Sequence, residues 1–179
     1  MIELKYFDRS AFQQLIQWID SPEFLLQWGG PQFEFPLDEE QLEVYLKGAN
    51  TNESDSLIYS VFLDEPGELI GHISLGKIDR NHKSARVGKV LVGAEEVRGQ
   101  GIGQKMIEEI LKIAFDELDL HRVSLNVFDF NYAAISCYEK SGFTKEGLLK
   151  DARKVGHHYW SLWEMAILEH EWAERKSSR

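Results

Sequence analysis

Hydrophobic and polar positions change period several times along the chain, and each change predicts an element. "IELKYF" at residues 2–7 alternates apolar and polar side chains, the period-two pattern of a short half-buried strand. "SAFQQLIQWID" then sets Ala11, Phe12, Leu15, Ile16, Trp18 and Ile19 along one stripe, an amphipathic helix whose free amides Ser10 or Asp8 can satisfy. "SPEFLLQWGGPQFEFPLDEEQL" is irregular but not polar. It predicts a short helix, an aromatic loop and a second amphipathic helix from about Asp38 to Lys47.

From Ser56 the period becomes two again. "SLIYSVFL", "LIGHISLGKID" and "SARVGKVLV", separated by the turns "DEPGE" and "RNHK", predict an antiparallel meander. In "GIGQKMIEEILKIAFDELDL" the residues Ile102, Met106, Ile110 and Ala114 share one face of a helix of about four to five turns, broad enough to cover a sheet. "HRVSLNVF" follows as a strand and "NYAAISCYEKSG" as a helix ended by Gly142. "FTKEGLL" and "HHYWSLWEMAIL" form a strand pair joined by a loop around Asp151 to Gly156. The sum is one α+β domain over residues 1–179. It has a single mixed, mostly antiparallel sheet of six to seven strands flanked by helices, and residues 169–179 are expected as a frayed polar tail.

Composition narrows the partners. Twenty Lys and Arg against thirty Asp and Glu give a net charge of −10, with no basic cluster in sequence, which argues against nucleic acid and weakly for a cationic partner. No apolar run of roughly eighteen residues is present, so no membrane partner is expected. The start "MIELKYFDRS" does not read as a secretory signal, and the lone Cys137 has no partner for a disulfide; a cytoplasmic location is the expectation. No zinc spacing is found, and no metal is expected.

The segment "KVLVGAEEVRGQGIGQKMIEEIL" is the most informative. An apolar strand feeds a turn holding Gly99, Gly101 and Gly103 and leads into the longest helix, so Arg98 through Gln104 form a cradle of free amides for a pyrophosphate. Arg98 adds a guanidinium able to grip two phosphate oxygens. The glycines read equally as a tight turn that lets the helix pack close to its sheet. A preceding antiparallel meander does not fit a dinucleotide-binding βαβ unit, and no G-x-x-x-x-G-K-[ST] loop is present.

Arg98-Gly99-Gln100-Gly101-Ile102-Gly103 resembles the acyl-CoA loop [RQ]-x-x-G-x-[GA] of the GNAT acetyltransferase superfamily. Asn131, Ala134, Tyr138, Glu139, Lys140, Gly142 and Phe143 in "NYAAISCYEKSGF" resemble a second element of that family. The amino-terminal helices and aromatic loop look like the branch that acetylates ribosomal-protein amino termini and diverse small amines. The resemblance implies acetyl-CoA as co-substrate and direct transfer of its acetyl group to a primary amine of a protein N-terminus or a small molecule. It also implies a splay between "GKVLV" and "HRVSLNVF" that admits pantetheine, with backbone groups near Leu91 and Val92 as its partners. Tyr138 would be the general acid to the CoA sulfur, and Asn131 would hold the cofactor, although Asn131 is equally a plain N-cap. A CoA-binding regulatory or peptide-binding module without turnover is the alternative.

The remaining candidates come from the residues themselves. His72, inside the second meander strand, is an expected general base and substrate contact, or a satisfied structural histidine. Trp28 and Phe33 are expected to wall the acceptor cleft, or to close a small core over the sheet. Glu34, Asp38 and Glu39 would favour a cationic amine. A homodimer is one possible assembly.

Overall fold

Seven alternating segments build one mixed sheet in the computed structural model, which describes all 179 residues. The strands are β1 (Ile2–Tyr6), β2 (Leu57–Leu63), β3 (Leu69–Asp79), β4 (Ser84–Val92), β5 (Arg122–Phe128), β6 (Thr144–Val155) and β7 (His158–Leu168). Their order is β1-β2-β3-β4-β5-β7-β6, and every neighbouring pair is antiparallel except β4 with β5. The helices are α1 (Phe12–Trp18), α2 (Pro22–Gly29), α3 (Glu39–Leu46), α4 (Ile102–Leu111), α5 (Tyr132–Lys140) and α6 (Glu169–Ser177). None is long and apolar enough to cross a membrane.

Local chemistry sets the helix ends. Ser21 and Asp38 accept the amides of Phe24 and Gln41, capping α2 and α3, and Pro22 occupies the first turn of α2 where no amide is needed. α4 widens over Lys112–Glu117 into a π-helical stretch before the chain turns into β5. Two segments differ from the sequence expectation. β6 runs to Val155, so the strand pair closes at Gly156–His157 and the residues around Asp151 form a bulge within β6 rather than a loop. The polar tail is the helix α6, because Trp172 buries its ring and donates to Asp116 at 3.1 Å while Lys176 pairs with the same carboxylate at 3.0 Å.

The sheet has an apolar layer on each face. Met106, Ile107, Ile110 and Leu111 of α4 and Ile135 of α5 pack on Ile73, Leu75, Val123 and Leu125. On the other face Phe12, Leu15, Leu25, Trp28, Phe33 and Leu42 close over Phe7, Ile58 and Leu91. Phe33 therefore belongs to the core rather than to a cleft wall: its ring stacks on Trp28 at 5.5 Å and meets Tyr45 edge-on at the same distance.

His72 lies in this second layer, which corrects its expected role as general base and substrate contact. It is 1% exposed, its Nε2 shares a 2.9 Å hydrogen bond with the Tyr45 hydroxyl, and Phe7 and Trp28 flank its ring. Burial, and then the charge of Lys89, push its pKa down to about 3, so it stays neutral and out of reach of an acceptor amine.

One close approach shapes β4. A Cβ on Gly71 would lie 2.4 Å from the Leu91 carbonyl oxygen, so only glycine lets β3 and β4 meet there. Gly71→Ala is expected to cost about 1–3 kcal/mol in urea unfolding, whereas Gly76→Ala on the same strand, with nothing within 4 Å, is expected to be near neutral. Equal effects of the two would show that the contact carries no such cost. His72 gives a second expectation. Between its folded pKa of about 3 and an unfolded value near 6.5, only the unfolded chain takes up the proton, so stability present above pH 6.5 is lost as pH falls toward 3. From pH 7 to pH 5 the unfolding free energy should fall about 2 kcal/mol more in the wild type than in His72→Gln. Parallel pH profiles would contradict this.

Candidate active site

β4 and β5 pair only at Ser84–Arg122, Ala85–Val123 and Arg86–Ser124, and then separate. The gap opens a cleft of about 1360 Å³, floored by Val87 to Val92 of β4 and Leu125 to Phe128 of β5. A bulge accompanies the separation. His72 faces Leu91 and Ser74 faces Gly88, so two steps on β3 oppose three on β4, and Lys89 takes a left-handed φ of 51°. The Trp28 indole N–H donates to the Lys89 carbonyl at 3.0 Å and so pins α2 to the bulge. Beyond the last paired residues, backbone groups on the facing edges of β4 and β5 have no ladder partner and are open to a ligand with amides of its own.

At one end the cleft meets the glycine loop. Gly99 and Gly101 have φ of 75° and 77°, and Gly101 caps α4 without a side-chain bond, so the amides of Ile102, Gly103 and Gln104 point outward without helical acceptors. Ile102 itself is buried, leaving only its backbone for a ligand. A Cβ on Gly103 would stand 3.6 Å from the Cys137 sulfur, so this glycine also brings α4 against α5. The Arg98 guanidinium is not free as expected. Its Nε and Nη2 donate to the carbonyls of Val92 and Gly93 at 3.1 and 3.2 Å, bracing the loop, and Gln100 does the same toward the Glu96 carbonyl at 2.7 Å.

Tyr138 lines the cleft from α5, 8% exposed, with its ring 6.1 Å from Phe143 and its hydroxyl without a hydrogen bond inside the chain. Burial and the neighbouring Cys137 push its pKa up, so the phenol keeps its proton at neutral pH. Burial also raises the Cys137 thiol, which leaves it a poor nucleophile. Asn131 caps α5 through Oδ1, accepting from the Ala134 amide at 3.3 Å, while its Nδ2 makes no bond within the chain and the residue lines the cleft. The two readings of Asn131 are thus compatible.

The far end of the cleft adds polar side chains the sequence did not single out to the expected Trp28. Arg86 pairs with Glu164 through two bonds of 2.9 and 3.2 Å and also donates to Asn126, forming a polar floor across β4, β5 and β7. Phe24 and Trp28 form the α2 wall, and Leu162 and Arg153 the opposite one. Glu34, Asp38 and Glu39 are elsewhere: the Glu34 backbone is bracketed by Gln41, Asp38 caps α3, and Glu39 bonds Gln13. They provide no recognition of a cation in the cleft. No histidine lines it.

Outward amides at a helix start and unpaired strand edges fit the pyrophosphate and the amide-bearing arm of CoA. The comparisons agree with that chemistry. The chain is 30% identical over 145 residues to spermidine N(1)-acetyltransferase of Vibrio cholerae, covering 80% of this chain and 81% of that protein. It is 24% identical over 153 residues to aminoglycoside N(6')-acetyltransferase type 1 of Klebsiella pneumoniae, covering 82% and 75%. The crystal structure of the Vibrio cholerae spermidine N-acetyltransferase in complex with CoA and spermine superposes with a TM-score of 0.82 at 25% identity, over 96% of this chain and 98% of that one. With the Acetyltransferase (GNAT) family model matching residues 14–143, this chain belongs to the GNAT family and is an acetyl-CoA-dependent N-acetyltransferase.

Proposed function

We propose that this enzyme acetylates the primary amine of a small molecule, with Tyr138 as general acid. The observation that carries the reading is the β4–β5 gap, lined by a proton-bearing phenol, with open amides at one end and a polar acceptor chamber at the other. That chamber is bounded by α2 on one side and the β6–β7 pair on the other, which suits a compact acceptor better than a polypeptide end. Relatives named for spermidine and aminoglycosides, both small amines, support the same choice.

Acetyl-CoA supplies an activated thioester carbonyl when bound. The chain's own contribution is positional and electrostatic. The amides of Ile102, Gly103 and Gln104, with Arg98 and Gln100 bracing the loop, hold the pyrophosphate. Backbone groups around Leu91 and Val92 orient the pantetheine arm along the open edge of β4, and the Asn131 Nδ2 adds a donor across the gap. Tyr138 donates its proton toward the sulfur as the carbon–sulfur bond breaks and a carbon–nitrogen bond forms, and is reprotonated from solvent. The proton lost by the amine leaves through water, since no imidazole reaches the cleft.

The reading is tested by following free CoA release across amino sugars, polyamines, amino acids and peptide amino termini. Small amines should be turned over, and on the best of them Tyr138→Phe should lower kcat by about 10²-fold or more while leaving the Kd for acetyl-CoA within about twofold, since one hydroxyl is removed from a many-contact site. Unaltered kcat would remove the assignment, and turnover of peptide termini alone would remove the acceptor class. For the loop, Gly101→Val places a β-branched residue at φ 77° and should weaken acetyl-CoA binding about tenfold or more. A variant that stays folded and binds as tightly as the wild type would show that the loop conformation does not matter.

A further inference from the structure

The acceptor end of the cleft has a sign opposite to that of the whole chain. β3 begins beside Glu68 and ends beyond Lys77, so these two cleft residues lie roughly 25–30 Å apart along an extended strand. Asp20, Glu68, Glu95 and Glu96 line the cleft toward the first end, where Glu95 approaches Arg98 at 3.7 Å. Around the other end stand Lys77, Arg86, Lys89 and Arg153 with a single carboxylate, Glu164. Arg86 holds Glu164 through both oxygens, so that pair is neutral and neither partner is free for a ligand charge.

Three cations remain without a carboxylate. Lys77 and Lys89 make no hydrogen bond or ion pair, and Arg153 donates only to the Ala152 carbonyl at 2.9 Å. Unpaired bases occur elsewhere on the chain, but these three line one cleft, where Glu164, the carboxylate beside them, is already held by Arg86. The backbones of the two lysines share a special conformation, and the Lys89 side chain has a resting place. Each occupies a left-handed position, φ 48° and 51°, where β3 and β4 leave regular register, and the Lys89 ammonium rests 5.1 Å over the Tyr45 ring and 5.8 Å from the Phe33 ring.

Resting on the small-amine reading above, we infer that the acceptor carries, besides its amine, a carboxylate or phosphate oxyanion received by Lys77 and Lys89, with Arg153 facing them from the opposite wall. Half-buried and without a counter-ion, Lys89 has its ammonium pushed down to about 8 by burial and by Lys77, a cost that a bound oxyanion removes. A polycation would add like charge to the same chamber.

The test compares matched primary amines with acetyl-CoA: phosphoethanolamine against ethanolamine, β-alanine against propylamine, and spermidine as the polycation. In each pair the oxyanion member should have a kcat/KM about tenfold or more above its neutral mate, and Lys77→Gln and Lys89→Gln should each shrink that ratio about tenfold. The larger ratio of the two pairs distinguishes phosphate from carboxylate. Where rates are low, the same amines are titrated into the CoA-bound protein by calorimetry, and the oxyanion members should bind more tightly. Preference for spermidine or for the neutral members would overturn the inference while leaving small-amine acetylation standing, as would ratios that neither substitution changes. Acetylation confined to peptide termini would instead overturn the small-amine reading and this inference with it.

Discussion

Past Arg86 and Ser124, the two parallel strands at the middle of the sheet stop exchanging hydrogen bonds, and the backbone groups released there must find partners outside the sheet. A continuous sheet would leave no room for a thioester. The interruption is held by both neighbours: the Lys89 bulge alters the course of β4 on one side, and α5 brings Tyr138 over the gap from the other face. An arm bearing amides can complete the broken ladder, so binding and alignment of the reacting carbonyl become one event.

The two apolar layers divide the work. Beneath α4 and α5, aliphatic packing holds the glycine loop and the phenol against the sheet, and the closeness of Gly103 to Cys137 shows how tightly those helices meet. Beneath α1 to α3, an aromatic layer enclosing His72 supports β3 and β4 where the bulge forms. Trp28 belongs to both jobs. Its ring stacks on Phe33 in the core, its indole N–H grips the bulge, and, although buried, it borders the cleft. Substituting it would disturb the β4 bulge as well as the α2 wall of the cleft.

Charge is distributed against its own average. Surface acids dominate the composition, and Asp20, Glu68, Glu95 and Glu96 line the cleft toward the open amides of α4, yet unpaired cations stand at the other end. Because the field inside a cleft depends on the few groups that line it, a net charge of −10 does not predict the cationic end. Glu34, Asp38 and Glu39, which in sequence looked able to favour a cationic amine, spend their groups on capping and helix contacts away from the cleft.

Period and glycine placement in the sequence by themselves determined the strands, five of the six helices, the loop from Arg98 to Gly103 and the family, because those signals are local and each residue's role follows from its immediate neighbours. The same locality marked Tyr138 and Asn131, which stand in one contiguous motif, and both line the cleft. Sequence misread what depends on the third dimension. His72 and Phe33 carry the chemistry of site residues, but Tyr45 and Phe7, far away in sequence, bury the first, and Trp28 and Tyr45 bury the second. Arg98 reads as a phosphate ligand until its bonds to the Val92 and Gly93 carbonyls are seen. The tail looks frayed until Asp116 receives Trp172 and Lys176. Lys77, Lys89, Arg86 and Arg153 bear no motif and are brought together only by strand register, bulges and the opening of β4 from β5. A polar side chain's role is set by what faces it, and only the tertiary structure decides that.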